Sequence, residues 1–303
     1  MKRSAPVRLF VVGAGGFLGG AAIQGGAAAG FPTVGLVRTN EQAVRIRKAG
    51  GQPVVGDLFR PEEWIRELRD SECVLYLAQS SADSFEERRR VRVEGLRHLL
   101  GAMSQVGVRR LVIGSGYWVY ADEPGWIREE SPIAPRSISA INFETEEIAR
   151  QAAARTGIEL VVARPGMVYG DGSWFREMVQ ALRDRSYRYI APGSNYLSPV
   201  ELGDAGAAFV RLAEHGVPGE TYLVVDDEPV PTLEFATSVA EWLGADSPQS
   251  IAYDSAESEW GADLAQLNRA SRRASNAKLR ALGWVPKWPG FRGGLEGAWS
   301  KMR

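Results

Sequence analysis

Two histidines, one cysteine and no apolar run long enough to cross a bilayer set the first limits on this chain. Cys73 lies within the run Cys73-Val74-Leu75-Tyr76-Leu77-Ala78, so neither an internal disulfide nor a thiolate zinc site can form, and the thiol reads as a small core residue. His98 and His215 are far apart, which removes the usual general base and most metal sites. Both read as surface or packing residues, and no metal is expected. The chain also lacks net charge: 36 Lys and Arg stand against 37 Asp and Glu, so no global field attracts nucleic acid or an anionic membrane. Met1 to Pro6 leads straight into Val7-Arg8-Leu9-Phe10-Val11-Val12, which is unlike a signal peptide, and a cytoplasmic location is the expectation.

What is present is the composition of an ordinary α/β protein, with 45% hydrophobic and 24% charged residues among 303. Short apolar runs recur at 7–12, 33–37, 52–55, 73–78, 110–113 and 160–163. Helix-like segments separate them at 41–49, 62–68, 91–105 and 142–156. That rhythm predicts a parallel sheet covered on both faces, with ligands at the carboxyl ends of its strands. Beyond about residue 165 the alternation weakens into helices at 174–185, 204–215 and 233–243 and a strand at 221–225, while the Gly/Pro/Trp-rich stretch 282–299 reads as irregular. The expected division is a nucleotide-binding domain over 1–170 and a smaller substrate lobe over 171–303, some segments of which return to the main sheet.

The motif with chemistry is Val11-Val12-Gly13-Ala14-Gly15-Gly16-Phe17-Leu18-Gly19, which places three glycines between a strand and a helix. Gly13 permits the tight turn, Gly16 lets a pyrophosphate approach the backbone, and Gly19 allows close helix–strand packing. The helix start at Phe17 and Leu18 attracts the anion. A glycine-rich turn without a ligand is the plainer alternative, and Gly20, Gly25 and Gly26 weaken the following helix. The second strand ends Val37-Arg38-Thr39-Asn40, with no carboxylate to bind the adenosine ribose of NAD. Arg38 can instead pair with a 2′-phosphate, with Thr39 and Asn40 as further donors, which favours NADP(H) over NAD(H). An exposed arginine at a strand end reads equally simply. After the third strand, Asp57 and Leu58 in Gly56-Asp57-Leu58 are candidate adenine contacts, although Asp57 can also serve as an N-cap. Ala78, closing the fourth strand, is a further candidate cofactor contact.

Four segments resemble the extended short-chain dehydrogenase/reductases, the group of nucleotide-sugar epimerases, dehydratases and dihydroflavonol-type reductases. They are Leu111–Tyr120 with its serine-containing turn, Arg164-Pro165-Gly166-Met167-Val168-Tyr169-Gly170, Ser198–Ala208 with Asp204, and Ser275–Pro286 ending Gly-Trp-Val-Pro. The likeness runs from about residue 7 to 297. It implies a Rossmann-type doubly wound parallel sheet with a smaller C-terminal substrate lobe. It implies nicotinamide contacts at Pro165, Gly166 and Val168, and a homodimer paired through the helices at 91–105 and 142–156.

The chain departs from that family where its chemistry resides. The tyrosine of the family falls at Ser139 and the lysine four residues later at Phe143; the serine or threonine falls at Gly116, beside Ser115, and the asparagine at Arg92. No tyrosine lies between Tyr120 and Tyr169, so a small slip in register does not restore the pair. A tyrosine hydroxyl exchanges a proton with substrate while an ammonium lowers its pKa, and serine and phenylalanine do neither. Tyr117 is the best replacement acid, with Ser115 beside it, although Tyr117 and Trp118 can equally fill space. Arg92 can hold an anion or belong to the solvated run Glu86–Arg90. Glu144, Glu146 and Glu147 receive no catalytic role.

Three readings remain open. One is an atypical NADP(H)-dependent oxidoreductase or epimerase/dehydratase-like enzyme acting on a small molecule. The second is a non-catalytic dinucleotide-binding sensor or scaffold, and the third a lyase, cyclase or isomerase reusing the pocket. Trp174, Phe175, Tyr187, Tyr189 and Tyr196 suit a flat or apolar ligand, or ordinary core packing.

Overall fold

The structure, a computed structural model, describes residues 8–80, 84–122 and 125–298. Val7 and Trp299, counted above in the first strand and the last segment, lie outside them. The described residues form two compact units. The first takes the chain up to Gly116, Ile138–Arg164 and Ala205–Tyr222; the second takes Tyr117–Ser137, Pro165–Asp204 and the chain from Leu223 onward.

A seven-stranded sheet carries the fold. Its strands are β1 (Leu9–Val12), β2 (Thr33–Val37), β3 (Gln52–Val55), β4 (Cys73–Tyr76), β5 (Arg110–Gly114), and the strands Glu159–Pro165 and Thr221–Val224. The order runs β3, β2, β1, β4, β5, Glu159–Pro165, Thr221–Val224. All pairings from β3 to Glu159–Pro165 are parallel. This is the doubly wound Rossmann-type arrangement, whose strand order reverses between β1 and β4. Every residue of β1, β2 and β4 is buried, as expected of unbroken apolar strands covered on both faces, whereas β3 lies at the sheet edge with Val55 exposed. Cys73 sits in the core, where burial pushes its thiol up to about 12.

Helix α1 (Phe17–Ala28) follows β1, and its glycines have packing roles. A Cβ at Gly25 would come within 3.1 Å of the Gly206–Ala207 backbone in the helix Leu202–His215, and one at Gly206 would sit against the Ala21 carbonyl. Two helices thus approach through small residues at a place where any side chain would hold them apart.

Two expectations need correction. The segment 62–68 is a single turn of 3₁₀ helix (Pro61–Glu63) followed by a short α-helix (Ile65–Leu68). The stretch read as irregular near the C-terminus contains the helix Phe291–Ala298. Its glycines have packing roles: a Cβ at Gly294 would overlap the Tyr169 hydroxyl and one at Gly297 the Trp288 ring. Phe291 and Leu295, one helical turn apart, bury themselves with Tyr169, Phe175 and Phe235 in the apolar core of the second unit.

The helix expected over 91–105 runs through Phe85–Val106 but is interrupted by a π turn at Arg90–Glu94. Tyr76 explains the interruption. Its hydroxyl donates toward the carbonyls of Val91 and Arg92, at 2.6 and 3.1 Å, and so draws them out of the regular ladder. Gly95 leaves room for this, since a Cβ there would lie 2.9 Å from the Tyr76 oxygen.

Candidate dinucleotide and active site

In the first unit, β1 delivers the chain into the glycine loop. Gly13 adopts φ +86°, and a Cβ there would fall 2.6 Å from the Ala78 backbone nitrogen, so both conformation and space require glycine. At Gly19 a Cβ would overlap the Gly13 carbonyl, which makes this residue a packing glycine. Gly16 is different: it is exposed, has an ordinary negative φ of −87°, and a Cβ would meet only the Gly13 carbonyl oxygen, at 3.2 Å. Nothing else in the described protein occupies the space beside it. No side chain caps α1 and no acidic residue lies in its first turn. The N–H groups of Phe17, Leu18 and Gly19 therefore have no intrahelical carbonyl to pair with and present partial positive charge. An uncapped helix start behind a glycine that leaves open space fits a pyrophosphate.

The end of β2 is organised by a residue absent from the sequence expectations. Gln42, in helix α2 (Asn40–Lys48), accepts the backbone N–H groups of Arg38 and Thr39 at 2.8 and 3.3 Å, while the Thr39 hydroxyl accepts the Gln42 N–H. This is a capping box, legible as Thr39-x-x-Gln42. The same side chain lies over the loop, where a Cβ on Gly15 would be 2.6 Å from Gln42. Arg38 is left exposed at the strand end. Asp57, also exposed, accepts the Phe59 N–H through Oδ1, and Leu58 beside it is buried. Asp57 therefore makes a local turn contact with one oxygen and leaves the other available.

Where the family carries its catalytic residues, this chain builds another arrangement. Ser139 is buried and Phe143 half-buried on the helix Ile138–Thr156. Arg92 is not on a solvated face, as one expectation had it: the π turn points it inward, and it is only 3% exposed. Nη1 donates to the Ala78 carbonyl at 3.2 Å and Nη2 to the Gly114 carbonyl at 2.6 Å, joining the ends of β4 and β5, while the guanidinium lies over the Tyr76 ring. Burial lowers its pKa, opposed by Tyr76 and Glu146. Ser115, next along from β5, donates its N–H to Ala163 at 2.7 Å, and its buried hydroxyl has no partner among the described residues. The fully buried Glu146, given no catalytic role, has a structural one: it holds Arg164 through two hydrogen bonds and Arg150 through a third. The partners Glu146 and Arg164 are 18 positions apart on a helix and a strand, so no local pattern announces them.

The second unit holds the remaining candidates. Pro165, Gly166 and Val168 are buried. A Cβ on Gly166 would overlap the Ser198 carbonyl, so chain packing already requires this glycine. Tyr117 begins a 3₁₀ turn (Tyr117–Val119) and is fully buried, its ring edge-on to Trp118 with centroids 4.6 Å apart. Its hydroxyl finds no acceptor among the described residues, while the Ser198 backbone N–H acts on its oxygen. Burial pushes the pKa of Tyr117 up, opposed by Arg272, whose guanidinium carbon is 4.8 Å from the Trp118 ring centroid. That direction is opposite to the lowering a lysine gives the tyrosine acid of the family. Of the aromatic set, Phe175 is core and Trp174 packs against that core while donating to the Val168 carbonyl. Tyr196 lies under Arg273.

Comparison with known proteins agrees with this fold. The model of the NAD dependent epimerase/dehydratase family matches residues 9–224. A 3-diazoavenalumate denitrifying reductase from a Streptomyces species is 28% identical across 95% of this chain and 99% of its own length. A ketoreductase from Stigmatella aurantiaca, named for 4-hydroxy-2-methyl-3-oxo-4-farnesyl-3,4-dihydroquinoline-1-oxide, is 27% identical over 78% of this chain and 74% of its own. Among solved structures, a nucleoside-diphosphate-sugar epimerase from Pseudomonas aeruginosa superposes with TM-score 0.82 at 22% identity, covering 97% and 96% of the two chains. A dTDP-glucose 4,6-dehydratase from Streptomyces venezuelae, solved with NAD, gives TM-score 0.81 at 22% identity over 96% and 95%. With the glycine loop, the sheet order and a family match over most of its length, this chain belongs to the NAD dependent epimerase/dehydratase family.

Proposed function

We propose that this chain is an atypical NADP(H)-dependent oxidoreductase that reduces a small molecule without the tyrosine–lysine relay of its family. The observation that carries the reading is a pairing within one unit: a glycine loop with an open, uncapped helix start, and a helix bearing Ser139 and Phe143 at the relay positions. Gly13, Gly16 and the N–H groups of Phe17, Leu18 and Gly19 hold the pyrophosphate. Arg38 and the Thr39 hydroxyl bind the 2′-phosphate, and Asp57 and Leu58 contact the adenine. Ala78 adds a further cofactor contact beyond the end of β4. The bound cofactor supplies hydride.

The proton side of the chemistry narrows the acceptor. A ketone reduced by hydride becomes an alkoxide and needs an acid, a contribution worth about 10²- to 10⁴-fold. Ser139 and Phe143 supply none, and a tyrosine with a raised pKa, as at Tyr117, donates a hydrogen bond more readily than a proton. The acceptor suited to such a protein takes hydride without building charge on oxygen. A diazonium terminus is of this kind: hydride adds to the outer nitrogen, and the resulting diazene loses N₂ as its hydrogen passes to carbon. The Streptomyces relative, named as a denitrifying reductase of a diazo compound, supports this class of acceptor. Ser115 then orients the substrate through its hydroxyl.

NADPH oxidation is measured with 3-diazonio-4-hydroxybenzoate and, separately, with simple ketones and aldehydes. Turnover of the first and negligible turnover of the second is the expected result. Tyr117→Phe lowers the rate only modestly. Ketone reduction at rates ordinary for the family would mean that the relay has been misplaced. Saturable NADPH binding with no turnover of either class would favour the sensor reading, to which the missing relay also points.

A further inference from the structure

The second unit contains a buried cation with no paired counter-ion among the described residues. Arg272 is 6% exposed. Its backbone is fixed on both sides: the N–H donates to the Tyr196 carbonyl at 2.8 Å, and the carbonyl accepts the Ser198 hydroxyl at 3.0 Å. Ser198 in turn accepts the Ala274 N–H at 2.8 Å. The side chain crosses the face of the half-buried Trp118 and places Nη2 3.4 Å from the Tyr120 carbonyl. Among the described residues Nε and Nη1 are buried without a partner, and the Tyr117 hydroxyl, on which both the Arg272 charge and the Ser198 backbone N–H act, has no acceptor for its proton. Asp122 is the acidic group that acts on Arg272, but it is exposed, is not paired with it, and accepts the Ser271 N–H instead.

Such an arrangement is costly in a folded chain. Each buried, unpaired donor forfeits the hydrogen bond it had with water, and an uncompensated buried charge costs more still. Proteins rarely keep several such groups together unless something completes them. We propose that Arg272, with Tyr117 and on the platform of Trp118, binds a carboxylate of an organic ligand. One guanidinium balances one negative charge, and its free N–H donors together with a tyrosine hydroxyl suit the two oxygens of a carboxylate. A phosphate dianion would need a second cation, and among the described residues no other is paired with this cluster. The half-buried Trp118 edge leaves an apolar flank for the carbon skeleton of the ligand. The inference goes beyond the reductase reading and does not depend on it, because carboxylate binding is measured without dinucleotide.

The test is calorimetric titration of the full chain with benzoate and with benzamide, its uncharged counterpart, alongside thermal unfolding. Benzoate binds saturably and raises Tm, and benzamide binds at least about tenfold more weakly, the loss of one charge-assisted contact. Arg272→Gln reduces benzoate affinity by roughly tenfold or more, and Arg272→Lys, which keeps the charge but loses donors, falls between. Without ligand, Arg272→Gln is at least as stable as the parent, because it removes an unpaired buried charge. Tyr117→Phe, which keeps the ring, weakens benzoate by a few-fold and serves should the arginine variants fail to fold. Equal binding of benzoate and benzamide, undiminished binding by Arg272→Gln, or no saturable binding of benzoate up to about 10 mM each overturns the proposal.

Discussion

Arg164 donates to both oxygens of the Glu146 carboxylate, Nε to Oε1 at 2.9 Å and Nη2 to Oε2 at 2.6 Å, with both side chains buried. Arg150 adds a third contact at 3.0 Å from the helix surface. The pair ties the helix that carries Ser139 and Phe143 to the strand Glu159–Pro165. Removing one member leaves the other charged and buried. Glu146→Gln is therefore expected to destabilise the fold by about 3–5 kcal/mol, read from urea unfolding. The double replacement Glu146→Leu with Arg164→Met should cost much less than the single change. Equal losses would mean that the pair is not a coupled buried contact.

The loop glycines should separate folding from binding. Gly19→Ala puts a Cβ into the Gly13 carbonyl and should lower Tm sharply. Gly16→Ala meets only one oxygen, at 3.2 Å, and should leave Tm within a few degrees of the parent. Gly16→Val, whose branched atoms fill the open space beside the loop, should remain folded yet abolish NADPH binding followed by nicotinamide fluorescence. A valine variant that binds NADPH as its parent does would rule out the pyrophosphate assignment.

Cofactor choice should depend on Arg38. NADPH is expected to bind more tightly than NADH, and Arg38→Ala to weaken NADPH selectively by about 1–3 kcal/mol, the range of a charge-assisted contact. Parallel titrations with the two cofactors decide this. Equal affinities in the parent protein remove the basis for giving Arg38 the 2′-phosphate.

Asp226 predicts a pH dependence of stability. Its carboxylate is buried, with the Glu201 backbone N–H acting to favour the charged form. Burial, reinforced by Asp204, Glu201 and Asp227, raises its pKa from 3.8 to about 9. Between those values the folded chain keeps a proton that the unfolded chain has lost, so this group's contribution is full below about pH 4 and declines as pH rises towards 9. The slope can approach about 1.4 kcal/mol per pH unit. Asp226→Asn keeps the shape and removes the titration. It should be more stable than the parent at pH 8 and should flatten the alkaline loss seen in urea unfolding. An unchanged pH profile in the variant would show that Asp226 ionises normally.

The alternation of buried strands with helices, the glycine loop and the capping box Thr39-x-x-Gln42 are local patterns, so the sequence was sufficient for the sheet, for the placing of β1 to β5 and for the likeness to the family. It also revealed that Ser139 and Phe143 stand where the relay should be, because that is a matter of residue type at a fixed spacing. What it could not supply depends on groups brought together across the chain. The stretch holding Gly294 and Gly297 reads as irregular until the rings of Tyr169 and Trp288 are seen to occupy the room where their Cβ atoms would lie. Arg92 could be read as an anion holder or as part of a charged run, and only the fold shows the Tyr76 hydroxyl at a π turn and Arg92 donating to the carbonyls of Ala78 and Gly114. Glu146 with Arg164, and Arg272 with Tyr117 and Trp118, meet only once the chain has folded. Whether a charge is solvated, paired or left waiting for a ligand is set by its neighbours in space, and the tertiary structure alone chose them.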